Sequence, residues 1–174
     1  MLGDSIQGTT AYKILGASFE VFQVARDKLI RALEKGRKPI VIFKTVEACK
    51  KFRKFCEPIM NVDVASAQEG RKSKYPLRMF QEGKANYLLA NSGLISEGID
   101  CPYADCLIQC TQNSSDVMTL QMLGRVLRKP EGKKDAIVID ITTGGFAQFV
   151  RAGERRNELY AKIVGENNLK KVTV

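Results

Sequence analysis

The sequence predicts an α/β domain with a mainly parallel central sheet covered by helices on both faces. Short apolar segments alternate with helical stretches along most of the chain, the pattern of successive βαβ units. Two of those segments, Pro39–Phe43 and Tyr87–Ala90, run five and four residues without a polar interruption, which suits strands buried on both faces. A length of 174 residues, 44% hydrophobic and 27% charged, fits one packed domain of ordinary size.

Residues 1–16 are weakly patterned and rich in small residues, and read as a leader or linker; the domain is expected over 17–174. Ser18 precedes a helical stretch in which Phe19, Phe22, Ala25, Leu29 and Leu33 recur at three- and four-residue spacing, up to Gly36. Pro39–Phe43 is the first strand. Thr45 is placed to cap a helix over Val46–Cys56, stopped before Pro58. A second strand is expected at Val62–Ala65, a short helix at Pro76–Gln81 closed by Gly83, and a third strand at Tyr87–Ala90. Ala104–Cys110 reads as a fourth strand and Ser114–Arg128 as a helix ended by Pro130 and Gly132. Ala136–Ile141 is a fifth strand. The last helix, Phe146–Val164, offers Phe149, Ala152, Leu159 and Ile163 for packing. Residues 167–174 read as a short strand or a loose tail.

The charge balance is strongly basic: 28 Lys and Arg against 19 Asp and Glu, a net +9. The positive residues cluster at Lys50, Lys51, Arg53 and Lys54, at Arg71, Lys72 and Lys74, at Arg125, Arg128, Lys129, Lys133 and Lys134, and at Arg151, Arg155 and Arg156. Such an excess suits a phosphate backbone as partner, or simply a solvated basic surface. No apolar run reaches the ~18 residues of a membrane span, and the N-terminus lacks the order of a signal peptide. An intracellular protein, cytoplasmic or nuclear, without a membrane partner is expected. There is no His, which removes Ser-His and Cys-His dyads. Cys101, Cys106 and Cys110 are close in sequence, but their spacing suits small buried hydrophobes better than zinc ligands. No metal site is expected in this chain.

Two segments carry chemistry. In Gln121-Met122-Leu123-Gly124-Arg125-Val126-Leu127-Arg128, helical spacing puts Gln121, Gly124, Arg125 and Arg128 on one polar stripe, with Met122 and Val126 packing behind. Two guanidiniums one turn apart can grip a phosphate with fork geometry. In Leu88 to Pro102, an apolar strand runs into a loop holding Asn91, Ser92, Gly93, Ser96, Gly98 and Asp100. Ligands of open parallel sheets bind at the carboxyl ends of strands. Ser92 and Gly93 can offer a hydroxyl and backbone N–H groups there, and Asp100 an acceptor; a tight turn would use the same residues.

The first segment resembles motif VI of superfamily-2 helicases, Q-x-x-G-R-x-x-R. That resemblance implies Arg128 as the arginine finger on the γ-phosphate, Arg125 as a second phosphate contact, and Gln121 beside the hydrolytic site. The second segment resembles motif V, with Ser92 and Gly93 at the nucleic-acid backbone and Gly98 and Asp100 at the nucleotide ribose. Its Glu97 departs from the Arg of DEAD-box proteins, and E-G-I-D is similar to the XPB-like and phage recombination-helicase branches. Strand Ile40–Phe43 with Thr45 fits motif IV, where Thr45 at a helix N-terminus would hold a backbone phosphate. Ser66 sits where the family has a second backbone-contacting loop. Together these imply a RecA-like lobe with motifs IV to VI inside residues 39–141.

The other half of such a site is missing from the sequence. No G-x-x-x-x-G-K-[ST] occurs, since Gly36-Arg37-Lys38-Pro39 lacks the spacing, and no D-E-x-[DH] occurs either. The resemblance therefore implies the second motor lobe of an ATP-dependent helicase or translocase. ATP with Mg²⁺ would lie between this lobe and an N-terminal lobe of the same protein, and the isolated chain would be inactive. The absence of the H-R-x-G-R-T-G-R form favours DNA over RNA. A stand-alone, non-catalytic module that binds nucleic acid or docks on another ATPase would have the same sequence features.

Overall fold

The structure is a computed structural model that describes residues 18–57, 64–65, 74–97, 99–112, 115–127, 135–144 and 146–165. Its elements in chain order are α1 (Phe19–Glu34), β1 (Pro39–Phe43), α2 (Val46–Cys56), β2 (Val64–Ala65), α3 (Tyr75–Gln81) and β3 (Leu88–Asn91). Then follow α4 (Ser92–Ser96), β4 (Cys106–Gln109), α5 (Asp116–Leu127), β5 (Ile137–Asp140) and α6 (Ala147–Val164).

The five strands form one sheet in the order β2-β3-β1-β4-β5, and every pairing is parallel. The expected fold class, α/β with helices on both faces of a parallel sheet, is what the chain adopts. β1 lies at the centre, with Val41 opposite Leu89 on one side and Ile108 on the other. All five of its residues are buried.

Alternation along the strands builds two cores. Val41, Phe43, Leu89 and Ile108 meet Phe22, Ala25 and Leu29 of α1 and Cys49 and Phe52 of α2 on one face. Ile40, Ile42, Leu88, Ala90 and Leu107 meet Leu77 and Phe80 of α3, Leu94 and Ile95 of α4, and Met122 of α5 on the other. The first core contains an aromatic cluster, in which the Phe22 ring stands edge-on to Phe43 and Phe52 at 5.5 Å. Phe19, which shares the helical spacing of that core, is 63% exposed; it sits at the first turn, with its ring edge-to-face with Phe55 at 5.5 Å.

The cysteines are small core residues. Cys49, Cys56, Cys106 and Cys110 belong to the first core and Cys101 to the second, so the sheet separates Cys101 from Cys106 and Cys110.

Helix α6 differs most from its sequence pattern. Its buried face is Phe149, Ala152, Gly153, Arg156 and Tyr160, while Ile163 is exposed and Leu159 only half-buried. The reason is a polar anchor. Arg156 is 1% exposed and donates from Nε to Asp140 Oδ2 at 2.6 Å and from Nη2 to Asp140 Oδ1 at 2.8 Å. Tyr160 donates to the same carboxylate at 2.7 Å, and Arg156 Nη2 also reaches Thr142 Oγ1 at 3.0 Å. A Cβ on Gly153 would lie 2.6 Å from Thr142 Cγ2, so the helix can approach this loop only with glycine there. Burial lowers the Arg156 pKa, but the hydrogen bond and charge of Asp140 outweigh it and the net shift is upward.

Strand ends differ modestly from expectation. β3 runs on to Asn91, β4 is trimmed to Cys106–Gln109 and β5 to Ile137–Asp140. The expected loop after β3 is instead the helix α4. Its five residues hold because Leu94 and Ile95 are buried, so packing outweighs the weak propensity of Ser and Gly. Residues 62–63, the C-terminal tail 167–174 and the leader 1–16 lie outside the described residues.

Two outcomes follow from these interiors. Arg156→Ala leaves Asp140 without its cation in a buried setting and is expected to cost about 3–5 kcal/mol, read from urea denaturation; a loss under about 1 kcal/mol would mean the pair is solvated. Burial first, then the Asp105 charge, pushes the Cys106 thiol up to about 11, and burial does the same for Cys56, from an ordinary 9.0. Burial and the Asp140 charge also raise Tyr160. Each shift favours the neutral form in the folded chain. That stability is complete below the unfolded value of 9.0 and is lost as pH rises through about 11. The melting temperature should fall steadily over that window, and a flat profile there would contradict burial of both thiols.

Candidate nucleotide and nucleic-acid edge

The connections leaving β1 and its neighbours diverge. β1 leads to α2 on one face, whereas β3 leads to α4 and β4 to α5 on the other. Such a divergence opens a crevice at the carboxyl ends of the strands, where parallel α/β sheets bind ligands. Polar residues concentrate at this edge: Asn91, Ser92, Gln109, Thr111 and Gln112 are all buried there. Buried polar groups are costly unless bonded, so their gathering at one edge marks it apart from the rest of the core.

Thr45 caps α2 as expected, its Oγ1 accepting from Ala48 N at 3.1 Å. The residue is half-buried. Register places Phe43 opposite Asn91, so Thr45 and Ser92 follow adjacent strand ends. Ser92 Oγ donates to Lys44 O at 3.1 Å and ties these two turns together. Its hydroxyl is thus engaged within the chain, and the residue is 5% exposed; Ser92 stands at the start of α4, not in an open loop. A Cβ on Gly93 would lie 3.0 Å from Asn91 Nδ2, so the Asn91 amide fills the space a side chain would need. Asn91 Oδ1 is itself buried with no hydrogen-bond partner among the described residues.

Gln121 and Gly124 lie exposed on α5, with Met122 and Leu123 buried behind them. That reproduces the expected polar stripe as far as Gly124, and a Cβ at Gly124 would meet nothing within 4 Å. The backbone of Arg125 continues the helix. Its side chain, and Arg128, Gly98 and Ser66 altogether, lie outside what the structure describes. Asp100 is exposed, and its backbone carbonyl accepts from Gln81 Nε2 at 2.6 Å. Glu97, at the end of α4, pairs with Lys74 at 3.3 Å. The structure therefore brings Thr45, Ser92 and Gly93 to one edge. It joins them to the Gln121 helix through α4, which packs against α5.

Two residues at this edge went unread in the sequence, and a third, Asn91, reads as loop and is the buried end of β3. Asn91 carried a weak signal, a polar residue at the end of an apolar strand. Gln112 carried none. It adopts φ +53°, and its side chain donates to Ile141 O at 2.6 Å and accepts from Thr143 N at 3.3 Å. Arg156 was masked by its neighbours Arg151 and Arg155, which are exposed.

The parallel order, the divergent connections and the polar edge define an α/β lobe of the RecA-like type. The family model described as "Helicase conserved C-terminal domain" matches residues 24–130, and the chain belongs to that family. Among curated relatives, the protein named as mitochondrial ATP-dependent helicase irc3 of Schizosaccharomyces pombe is 34% identical over 73 residues, 42% of this chain and 10% of that one. The DNA 3'-5' translocase XPB2 of Sulfurisphaera tokodaii is 35% identical over 82 residues, 47% of this chain and 18% of the relative. Each match thus spans less than a fifth of the relative's length. The crystal structure of T4 UvsW superposes with a TM-score of 0.69 at 18% identity, over 91% of this chain and 36% of that one. Among the described residues no helix is long and apolar enough to cross a membrane.

Proposed function

We propose that this chain is the second motor lobe of an ATP-dependent DNA helicase or translocase. It would hold a strand backbone at the ends of β1 and β3 and supply an arginine finger from α5. The observation that carries the reading is the exposed Gln121–Gly124 stripe, backed by buried Met122 and Leu123. It lies on a lobe whose family match spans the same helix. Nothing within 4 Å would meet a side chain at Gly124, so this face can receive a second lobe. The name of the XPB2 relative supports DNA as the track.

In this reading the chain's own groups do two things. Thr45 and Gly93, with the N-terminus of α2, bind and orient a phosphate backbone through N–H and hydroxyl donors; Ser92 holds the two turns together and adds its backbone N–H. Arg125 and Arg128 place guanidiniums against the phosphates of a nucleotide, and Asp100 accepts from its ribose. Gly98 lets the backbone come close, and Ser66 adds a second strand contact. Bound ATP supplies the phosphoryl group whose transfer drives motion, and its Mg²⁺ would be held by carboxylates of the N-terminal lobe. The isolated chain, without a phosphate cradle, would not turn over ATP.

Contacts of this kind are mostly electrostatic and blind to sequence. The chain should bind single-stranded DNA weakly, with affinity falling at least tenfold between about 50 and 200 mM salt. Fluorescence anisotropy reads this, and salt-independent binding would remove the backbone assignment. The finger is tested in the two-lobe protein. There Arg128→Ala should lower kcat by about 10³-fold or more with nucleotide Kd little changed. Arg128→Lys should not restore it, because an ammonium lacks the planar fork. Turnover near wild type in Arg128→Ala would refute the assignment.

A further inference from the structure

We propose that Gln112 is a positioning residue for the motor reaction: its side chain clamps the start of α5 to the exit of β5, and so fixes where the Gln121–Gly124 face points. The inference rests on the reading of α5 given above but concerns a residue outside the motifs.

Gln112 is fully buried and is the one described non-glycine residue with positive φ, at +53°. A residue with a β-carbon is disfavoured in that region, so the surroundings must hold it there. What holds it is bidentate. Nε2 donates to Ile141 O at 2.6 Å and Oε1 accepts from Thr143 N at 3.3 Å. Both partners lie on the loop that leads from β5 into α6. The amide thus stitches the loop before α5 to the loop before α6, across a sequence separation of about thirty residues.

The clamp is close to what it would steer. Ser115 begins α5, its Oγ accepting from Met118 N at 3.3 Å and its carbonyl from Thr119 N at 3.1 Å. Ser115 is three positions along the chain from Gln112, a tether of at most ~11 Å. From the same side, Arg155 of α6 forks onto Asp116 in the first turn of α5, at 2.8 and 2.9 Å. The N-terminal end of α5 is therefore fixed from the β5–α6 side by two independent devices. From Ser115 to Arg125 is ten residues, a lever of ~15 Å along a helix. A tilt of ~10° at its base would displace residue 125 by ~2.6 Å, and displacements of ~1 Å can cost 10²-fold in a positioned reaction.

The test uses Gln112→Asn, which tolerates positive φ but is one methylene too short to span both partners. Gln112→Gly removes the backbone strain and the clamp together. In the two-lobe ATPase, assayed well below the melting temperature, both variants should lower kcat about tenfold with KM within about twofold, and both should melt below wild type because Ile141 O and Thr143 N lose their buried partner. In the 174-residue chain, amides of the first two turns of α5 should exchange faster in both variants, while amides of α2 stay unchanged. Arg128→Ala is measured beside them. If Arg128→Ala collapses turnover but Gln112→Asn and Gln112→Gly retain wild-type kcat, the positioning role is overturned while the motor reading stands. If kcat falls without a change confined to α5 exchange, Gln112 does not act through that helix and the inference is equally overturned. If Arg128→Ala leaves turnover intact, the motor reading fails and this inference falls with it.

Discussion

Everything at the candidate edge depends on the double burial of β1. Five consecutive apolar residues, Pro39 to Phe43, hydrogen-bond to β3 on one side and β4 on the other, and face a core on each side. Because its backbone groups and side chains are all committed, the strand cannot slide. A one-residue shift would send Val41 and Phe43 into the core built for Ile40 and Ile42. The carboxyl end of β1 is therefore a fixed point. Lys44, whose carbonyl takes the Ser92 hydroxyl, and Thr45, which starts α2, inherit that fixity. Polar contacts that need placement within fractions of an ångström are thus supported by apolar packing that reaches up to them.

The sequence revealed most of this arrangement because the physics there is local. Continuous apolar runs identify strands buried on both faces, and Thr45 followed by a helical pattern identifies a cap. Where packing overrides propensity, the reading failed: Ser92-Gly93-Leu94-Ile95-Ser96 looks like loop by composition and is helix by burial. Arg156 failed for a different reason. Nothing in a run of arginines distinguishes the one that turns inward; the difference is a carboxylate sixteen residues away that only the fold brings near. Of the candidate site, the placement of Thr45, Ser92 and Gly93 at one edge and the outward facing of Gln121 and Gly124 on α5 were readable. The tie between Ser92 and Lys44 was not, because its acceptor is a backbone carbonyl that any residue would offer.

The polar interior is unevenly distributed, and the distribution has a physical sense. Toward the amino ends of the strands, Arg37 pairs with Asp105 and Asp135, and Lys38 donates its backbone N–H to Asp105 at 2.7 Å. These partly exposed pairs tidy the strand entrances. Toward the carboxyl ends the polar groups are deeper and interlinked, from Gln109 through Tyr160 to Asp140 and Arg156. In a low-dielectric setting such linked groups hold one arrangement firmly when every member is satisfied. The deeper network lies under α6, and all its members but Gln109 fall beyond the residues matched by the family model. The helix that follows the recognisable motifs is thus anchored to the same edge as the motifs themselves.

The central position of β1 also dictates an order of assembly. Its neighbours arrive late in the chain: β3 pairs from forty-eight residues downstream and β4 from sixty-seven. As the polypeptide emerges during synthesis, β1 leaves the ribosome with both ladder edges bare and both faces uncovered except by α1 and α2. It gains one neighbour when Asn91 has been made and the second only when Gln109 has. Long-range parallel pairing of this kind closes large loops before it is rewarded, which makes it slow and leaves apolar strand edges open to other chains meanwhile. The aromatic cluster of Phe22, Phe43 and Phe52 is built wholly from residues made before β3. It can shield one face of the nascent strand during that wait.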